Sequence, residues 1–215
     1  MRENITSKTE LQILASAEKL FLEKGFKSTS TTDIARDAGC NQALVHYYFR
    51  TKENLFKRIF DNKFELMIEF IDSNLKDECD IFENLNGLIN AYLDFISQNP
   101  NTPYFLLNEF FDNPERRTHI RKTFLTSQKG QEVFLRFCGL AQRAVREGSI
   151  RDIDPLDLIF DILSLAVFSF IATPILIDLL GRDQAGRKEF AEHRKEEIIT
   201  LLTQGLKPLS LSTDK

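Results

Sequence analysis

TTDIARDAGCNQALVHYYFRTKENLF, Thr31 to Phe56, is the stretch on which the reading of the whole chain turns. It holds two short helical patterns separated at Gly39, then a third helix start at Thr51. Ser30, just before it, forms a capping box with Asp33. Ile34, Ala35 and Ala38 line the inner side of the helix that follows, and Gly39 stops it. Asn41 is placed to cap a second helix from Gln42 to about Phe49. Val45 and Phe49 are four apart and share a face, so they anchor that helix to a core. Ala43, His46 and Tyr47 then fall towards the other side. Three adjacent aromatics, Tyr47, Tyr48 and Phe49, cannot all point inward. Part of this helix must face something outside the chain.

Two short helices joined by a Gly-containing turn make a helix-turn-helix. The second helix of such a pair lies in the DNA major groove with its N-terminal residues at base edges. Gln42 stands at that leading end, and a Gln amide pairs bidentately with adenine. The hydroxyls of Tyr47 and Tyr48 and the charge of Lys52 suit phosphate oxygens, as does a helix N-terminus itself. Thr31 and Thr32, at the start of the preceding helix, are placed for the opposite backbone wall.

These residues carry a resemblance. The Thr-rich start, Ile34-Ala35 followed by Ala38-Gly39, the aromatic cluster ending in Phe49, and Lys52-Glu53-x-Leu55 resemble the signature of the TetR family of bacterial transcriptional regulators. The motif covers about the first quarter of the chain; the remainder is similar to the family in architecture only. The resemblance implies a three-helix DNA-binding head and a larger helical body with an effector pocket and a dimer interface made by its last two long helices. It assigns base contacts to Gln42, Ala43 and His46, and phosphate contacts to Thr31, Thr32, Tyr47, Tyr48 and Lys52. Lys52 matches a lysine the family uses at the start of its fourth helix. The family often has Gly or Pro where Ala43 stands and Tyr where His46 stands, so the operator sequence does not carry over.

The chain around the motif is consistent with such a head and body. Its 215 residues fit one large domain or two unequal ones, and 42% hydrophobic residues supply a core. The net charge of −4 is unevenly placed. Residues 1–58 hold ten Lys/Arg against seven Asp/Glu; the rest hold eighteen against twenty-five. A modestly basic head on an acidic body points to the head as the part that meets a polyanion. Residues 1–51 are expected to form the DNA-binding domain, and 52–215 the effector-binding and dimerisation domain.

Helical periodicity recurs along the chain, and no segment shows clean period-two alternation over six or more residues. An all-α fold of about nine helices is expected. Ser7 with Glu10 opens the first helix and Gly25 ends it; Thr51 caps a fourth, long one. Further helices are read at Asp80–Gln98, at Pro103–Phe111, and from Asn113-Pro114 to Gly148 with a break at Gly130. Asp154-Pro155 starts one running to about Leu180, kinked near Pro174, and the last covers about Arg187 to Leu206.

Fifteen of the nineteen Phe lie after residue 58, which suits an apolar cavity between helices that takes a small hydrophobic or aromatic effector. Phe64, Tyr92, Phe95, Tyr104, Phe105, Asn108, Phe111, Phe134, Phe137 and Phe168 are the candidate lining, though any one Phe also fills cores. The helix from about 155 to 180 is apolar on more than one face, which a monomer surface would not tolerate. Paired with the 187–206 helix of each of two copies, it would form a dimeric four-helix bundle.

Other classes find little support. Cys40, Cys79 and Cys138 have no CxxC spacing, which argues for reduced thiols rather than a disulfide framework or zinc ribbon. MRENITSKTE has no apolar run after its first basic residue and is not expected to act as a secretory signal, so a reducing cytoplasm is expected. The uncharged run Ile162–Ile177 is sixteen residues long, short of the roughly twenty a membrane span needs. No nucleophile elbow, P-loop, zinc-protease or dinucleotide motif is present, so neither an enzyme nor a cofactor or metal is expected. A helical lipid or small-molecule carrier shares the Phe-rich body, but leaves Gln42, Tyr47, Tyr48 and Lys52 without purpose.

Overall fold

A computed structural model describes residues 7–98, 114–181 and 184–208. Among these the chain is all-α, with nine helices and no strand. They are α1 (Lys8–Ser28), α2 (Thr31–Asp37), α3 (Gln42–Phe49), α4 (Lys52–Asn74), α5 (Ile81–Gln98), α6 (Pro114–Thr126), α7 (Gln128–Arg146), α8 (Pro155–Leu179) and α9 (Gln184–Leu206). The expected helix at Pro103–Phe111 lies outside the described residues, and with it Tyr104, Phe105, Asn108 and Phe111.

Caps set most of the boundaries. Ser7 Oγ accepts from Glu10 N at the start of α1, and Ser30 and Asp33 satisfy each other's backbone N–H groups at α2. Asp80 and Glu83 make the same reciprocal pair ahead of α5. Asp154 Oδ1 accepts from Leu156 N, with Pro155 in the first helical position of α8.

Three boundaries differ from the sequence reading. Gly25 turns to φ 79° and kinks α1, but a last turn continues to Ser28. Thr29 Oγ1 closes that turn by donating to the carbonyls of Leu20 and Gly25. The expected break at Gly130 falls instead at Ser127, whose hydroxyl accepts from Gly130 N and caps α7. Gly130 is thus the donor that the cap captures. The last helix begins at Gln184, ahead of the expected Arg187.

The chain divides into two compact units. The first holds residues 1–67 and 101–126, the second 68–100 and 127–215, with the boundary inside α4. The sequence reading placed the boundary at 51/52 and kept 114–126 with the body; contacts group α6 with the head instead. The first unit's core is a run of rings. Phe21, Phe26 and Phe56 pack together, then Phe60, Phe64 and Phe124 follow along α4 and α6. The second unit is centred on Leu85 and Ile89 of α5, Phe137, Leu140 and Ala141 of α7, Leu158 of α8, and Ile198 and Leu202 of α9.

Candidate nucleic-acid interface and ligand-binding unit

α3 is built to present one face. Asn41 Oδ1 accepts from Leu44 N at 2.9 Å and fixes the helix start. Val45 and Phe49 are buried, which turns Gln42, Ala43, His46 and Tyr47 to solvent. Tyr47 is 77% exposed, an unusual position for a ring with nothing to cover it. Tyr48 is half-buried; its ring meets Tyr47 edge-on at 5.1 Å, and its hydroxyl accepts from Ser7 Oγ at 2.9 Å. Tyr48 therefore ties the start of α1 to the same surface.

The polar groups of this face are linked. Gln42 Nε2 donates to Thr31 Oγ1 at 2.9 Å, joining the starts of α2 and α3. It also stands 3.4 Å from His46 Nε2. His46 Nδ1 lies 3.1 Å from the Arg50 carbonyl, which can only accept, so the proton is assigned to Nδ1. Thr32 is exposed beside Thr31. The hydroxyl and amide hydrogen bonds to Ser30 hold the Asp33 carboxyl below its usual range, so the α2 cap is ionised at neutral pH.

Lys52 is engaged within the head. Its Nζ donates to the carbonyls of Phe26 and Thr29 at 2.9 and 2.8 Å and sits 4.1 Å from the centre of the Phe26 ring. Burial, with Arg116 nearby, lowers its pKa. Its ammonium thus closes the end of α1, and the start of α4 offers backbone N–H groups beside it.

Two residues were missed by the sequence reading. Arg50 is an exposed cation at the end of α3, with φ 63°. Its place between Phe49 and Thr51 is the only cue. Arg116 of α6 is 4% exposed and makes a two-pronged pair with Glu53 at 3.0 and 2.8 Å. Its guanidinium lies 3.5 Å from the Phe26 ring centre. His119 and Thr123 reach Asp61 at 2.8 and 2.9 Å, so α6 is pinned along α4 by polar as well as ring contacts.

The described effector candidates are spread over both units. Phe64 is buried in the first unit against Phe60 and Phe124. In the second unit Phe137 belongs to the core, while Phe134 and Phe168 are exposed. Phe95 is half-buried beside Phe70, and Tyr92 is half-buried with its phenol pushed up to about 12 by burial. A groove of about 360 Å3 in the second unit is lined by Asp77, Asp80, Phe82, Arg143 and Glu147 among others, and none of the candidates borders it. Desolvation raises the pKa of the Cys79 and Cys138 thiols, which keeps them protonated.

α8 leaves a long apolar face open. Leu156, Phe160, Leu163, Phe168, Ile175 and Leu179 are exposed, although Leu158 and Ala166 on the other side are fully buried. Pro155–Thr173 is long and apolar enough to cross a membrane by length and composition, which corrects the sixteen-residue limit read from the sequence. It carries Asp157 and Asp161, and its buried side packs against α5, α7 and α9.

A short helix pair with a capped, solvent-facing second helix, set on an all-helical body, defines a helix-turn-helix regulator. Residues 13–59 match the N-terminal model of bacterial regulatory proteins of the tetR family, and residues 82–201 match the tetracyclin repressor-like C-terminal domain. The chain belongs to the TetR family of transcriptional regulators. It is 23% identical over 189 residues to the uncharacterized HTH-type transcriptional regulator YfiR of Bacillus subtilis, covering 86% of this chain and 89% of that one. The fold is similar to that of FadR from Bacillus subtilis in complex with stearoyl-CoA, with a TM-score of 0.70 and 20% identity over 91% of this chain and 98% of that one. A TetR/AcrR-family regulator from Thermobifida fusca aligns with a TM-score of 0.65 and 25% identity, covering 91% and 96%.

Proposed function

We propose that the protein is a ligand-responsive repressor in the cytoplasm that binds a palindromic or near-palindromic operator as a homodimer and is released by a small hydrophobic effector. The observation that carries this reading is α3, where Gln42, His46 and Tyr47 are exposed on a helix whose opposite face is buried in the head's own core. Gln42, Ala43 and His46 are assigned to base edges. Thr31, Thr32, Tyr47 and Tyr48 are assigned to phosphates, with Lys52 holding the α4 start in place for a backbone contact.

The open apolar face of α8, with α9 beside it, is assigned to the homodimer. Two-fold symmetry then sets the half-sites about 34 Å apart, one helical turn. The relative bound to stearoyl-CoA supports an effector with a long apolar part. Release requires that the effector favour a non-binding spacing of the two heads by a few kcal/mol. α4 is the continuous element shared by both units and is assigned to transmit that change.

Selection of bound fragments from a random duplex library at about physiological salt tests the reading, since phosphate contacts alone mislead at low salt. The expected result is one two-fold symmetric sequence. No enrichment by folded, ligand-stripped protein would overturn it.

A further inference from the structure

The inward stripes of three helices in the second unit change character at one level. On α5 the stripe reads Ile81, Leu85, Ile89, then Tyr92, and returns to hydrocarbon at Ile96. On α8 it reads Leu158, Ile162, Leu165 and then Ser169 and Thr173. On α9, read backwards, it is Leu206, Leu202, Ile198 and then Arg194. Each sequence step is three or four residues, so each set lies on one helix face. A hydroxyl or a guanidinium enters the hydrocarbon at this level on all three.

Two contacts bring those ends together. Arg194 Nε donates to Ser169 Oγ at 2.8 Å, and Lys195 Nζ meets Asp94 at 2.7 Å. They place residue 194 of α9 level with 169 of α8, and residue 195 level with 94 of α5. The two cations are used differently. Lys195 is neutralised by Asp94 and Glu192, and the Asp94 hydrogen bond raises its pKa. Among the described residues half-buried Arg194 meets a neutral hydroxyl and no carboxylate, with only its Nε engaged. An arginine turned along a core stripe with its fork unfilled is an anion acceptor.

We propose that the effector of this protein is an amphiphilic carboxylate, its anionic head held by Arg194 beside Ser169 and Thr173. This rests on the effector reading above and narrows it from any hydrophobic molecule to an acidic one. A neutral apolar effector would leave the guanidinium without a charged partner and gain nothing from it.

Calorimetric titration of the whole protein at pH 7.5 with decanoate and with 1-decanol, matched in chain length and differing in charge, tests the proposal. The wild type is expected to bind decanoate at least about tenfold more tightly than decanol, the scale of one charge-assisted pair. Arg194→Gln should shrink the preference to within about threefold while leaving decanol binding unchanged. Arg194→Lys, which keeps the charge, should retain part of the preference and guards against a folding defect in the first variant. Equal binding of both probes by the wild type, or a preference that survives Arg194→Gln, overturns the carboxylate site and leaves the hydrophobic effector standing. Binding of neither probe overturns both.

Discussion

α3 and α8 meet solvent in opposite ways. On α3 the buried side chains are apolar and the exposed face carries an amide, an imidazole and a phenol. On α8 the exposed face is hydrocarbon, with Phe160 at 70% and Leu179 at 77% exposure. The head is complete as a packed object, and its open groups are hydrogen-bonding ones that suit a hydrated polyanion. α8 leaves an apolar stripe whose burial against another apolar surface would be favourable. One chain thus carries two exposed surfaces of opposite chemistry.

The largest effect should come from attacking the head's completeness. Phe56 is fully buried and packs against Phe21, Phe26 and Phe60. Phe56→Ala should cost about 3–5 kcal/mol in thermal or urea unfolding. A loss near zero would mean that the ring cluster does not hold the head together. Arg116→Ala should cost about 3 kcal/mol, at the low end for a broken buried pair because Glu53 keeps some solvent. Adding Glu53→Gln should recover part of it. If the double variant is no better than the single, the Phe26 stacking rather than the charge pair carries the effect.

The second unit offers a pH test. The Tyr92 phenol has a folded pKa near 12 against 10.0 when unhindered. A raised pKa on an acid means that the unfolded chain gives up its proton first. The stability tied to neutral Tyr92 is therefore complete below pH 10 and is lost as pH rises towards 12. Its size is about 2–3 kcal/mol at most. Tyr92→Phe should flatten the fall in unfolding free energy over that window, and an unchanged slope would show the phenol to be hydrated. The smallest expected effect falls on the reading face. Gln42→Ala should leave stability untouched and weaken operator binding by about 1–3 kcal/mol, with relaxed preference at one base position per half-site. Equal weakening on all sequences would reassign Gln42 to the backbone.

The head was legible because its signals are local. Ser30 with Asp33, Asn41, and Thr51 each satisfy backbone N–H groups within three residues, so spacing alone reveals them. What escaped the sequence is what joins distant residues. Arg116 and Glu53 are 63 positions apart, and nothing in PERRTHI marks one arginine as buried. The role of Lys52 within the head depends on where α1 ends, since it binds the carbonyls of Phe26 and Thr29. Ser127 was overlooked as a cap because Gly130 looked like the stronger punctuation. In the body, a count of Phe residues cannot say which ring faces inward: Phe137 went to the core and Phe168 to the surface. Rings that share a composition are separated only by helix packing.

The central claim is that the head is finished within one chain while α8 needs a second copy. Sedimentation equilibrium of the wild-type protein, free and on a selected operator duplex, tests it most directly. The account predicts a dimer when free, and two chains on a full site carrying both half-sites. A monomer that binds a single half-site with full affinity and sequence preference would contradict it.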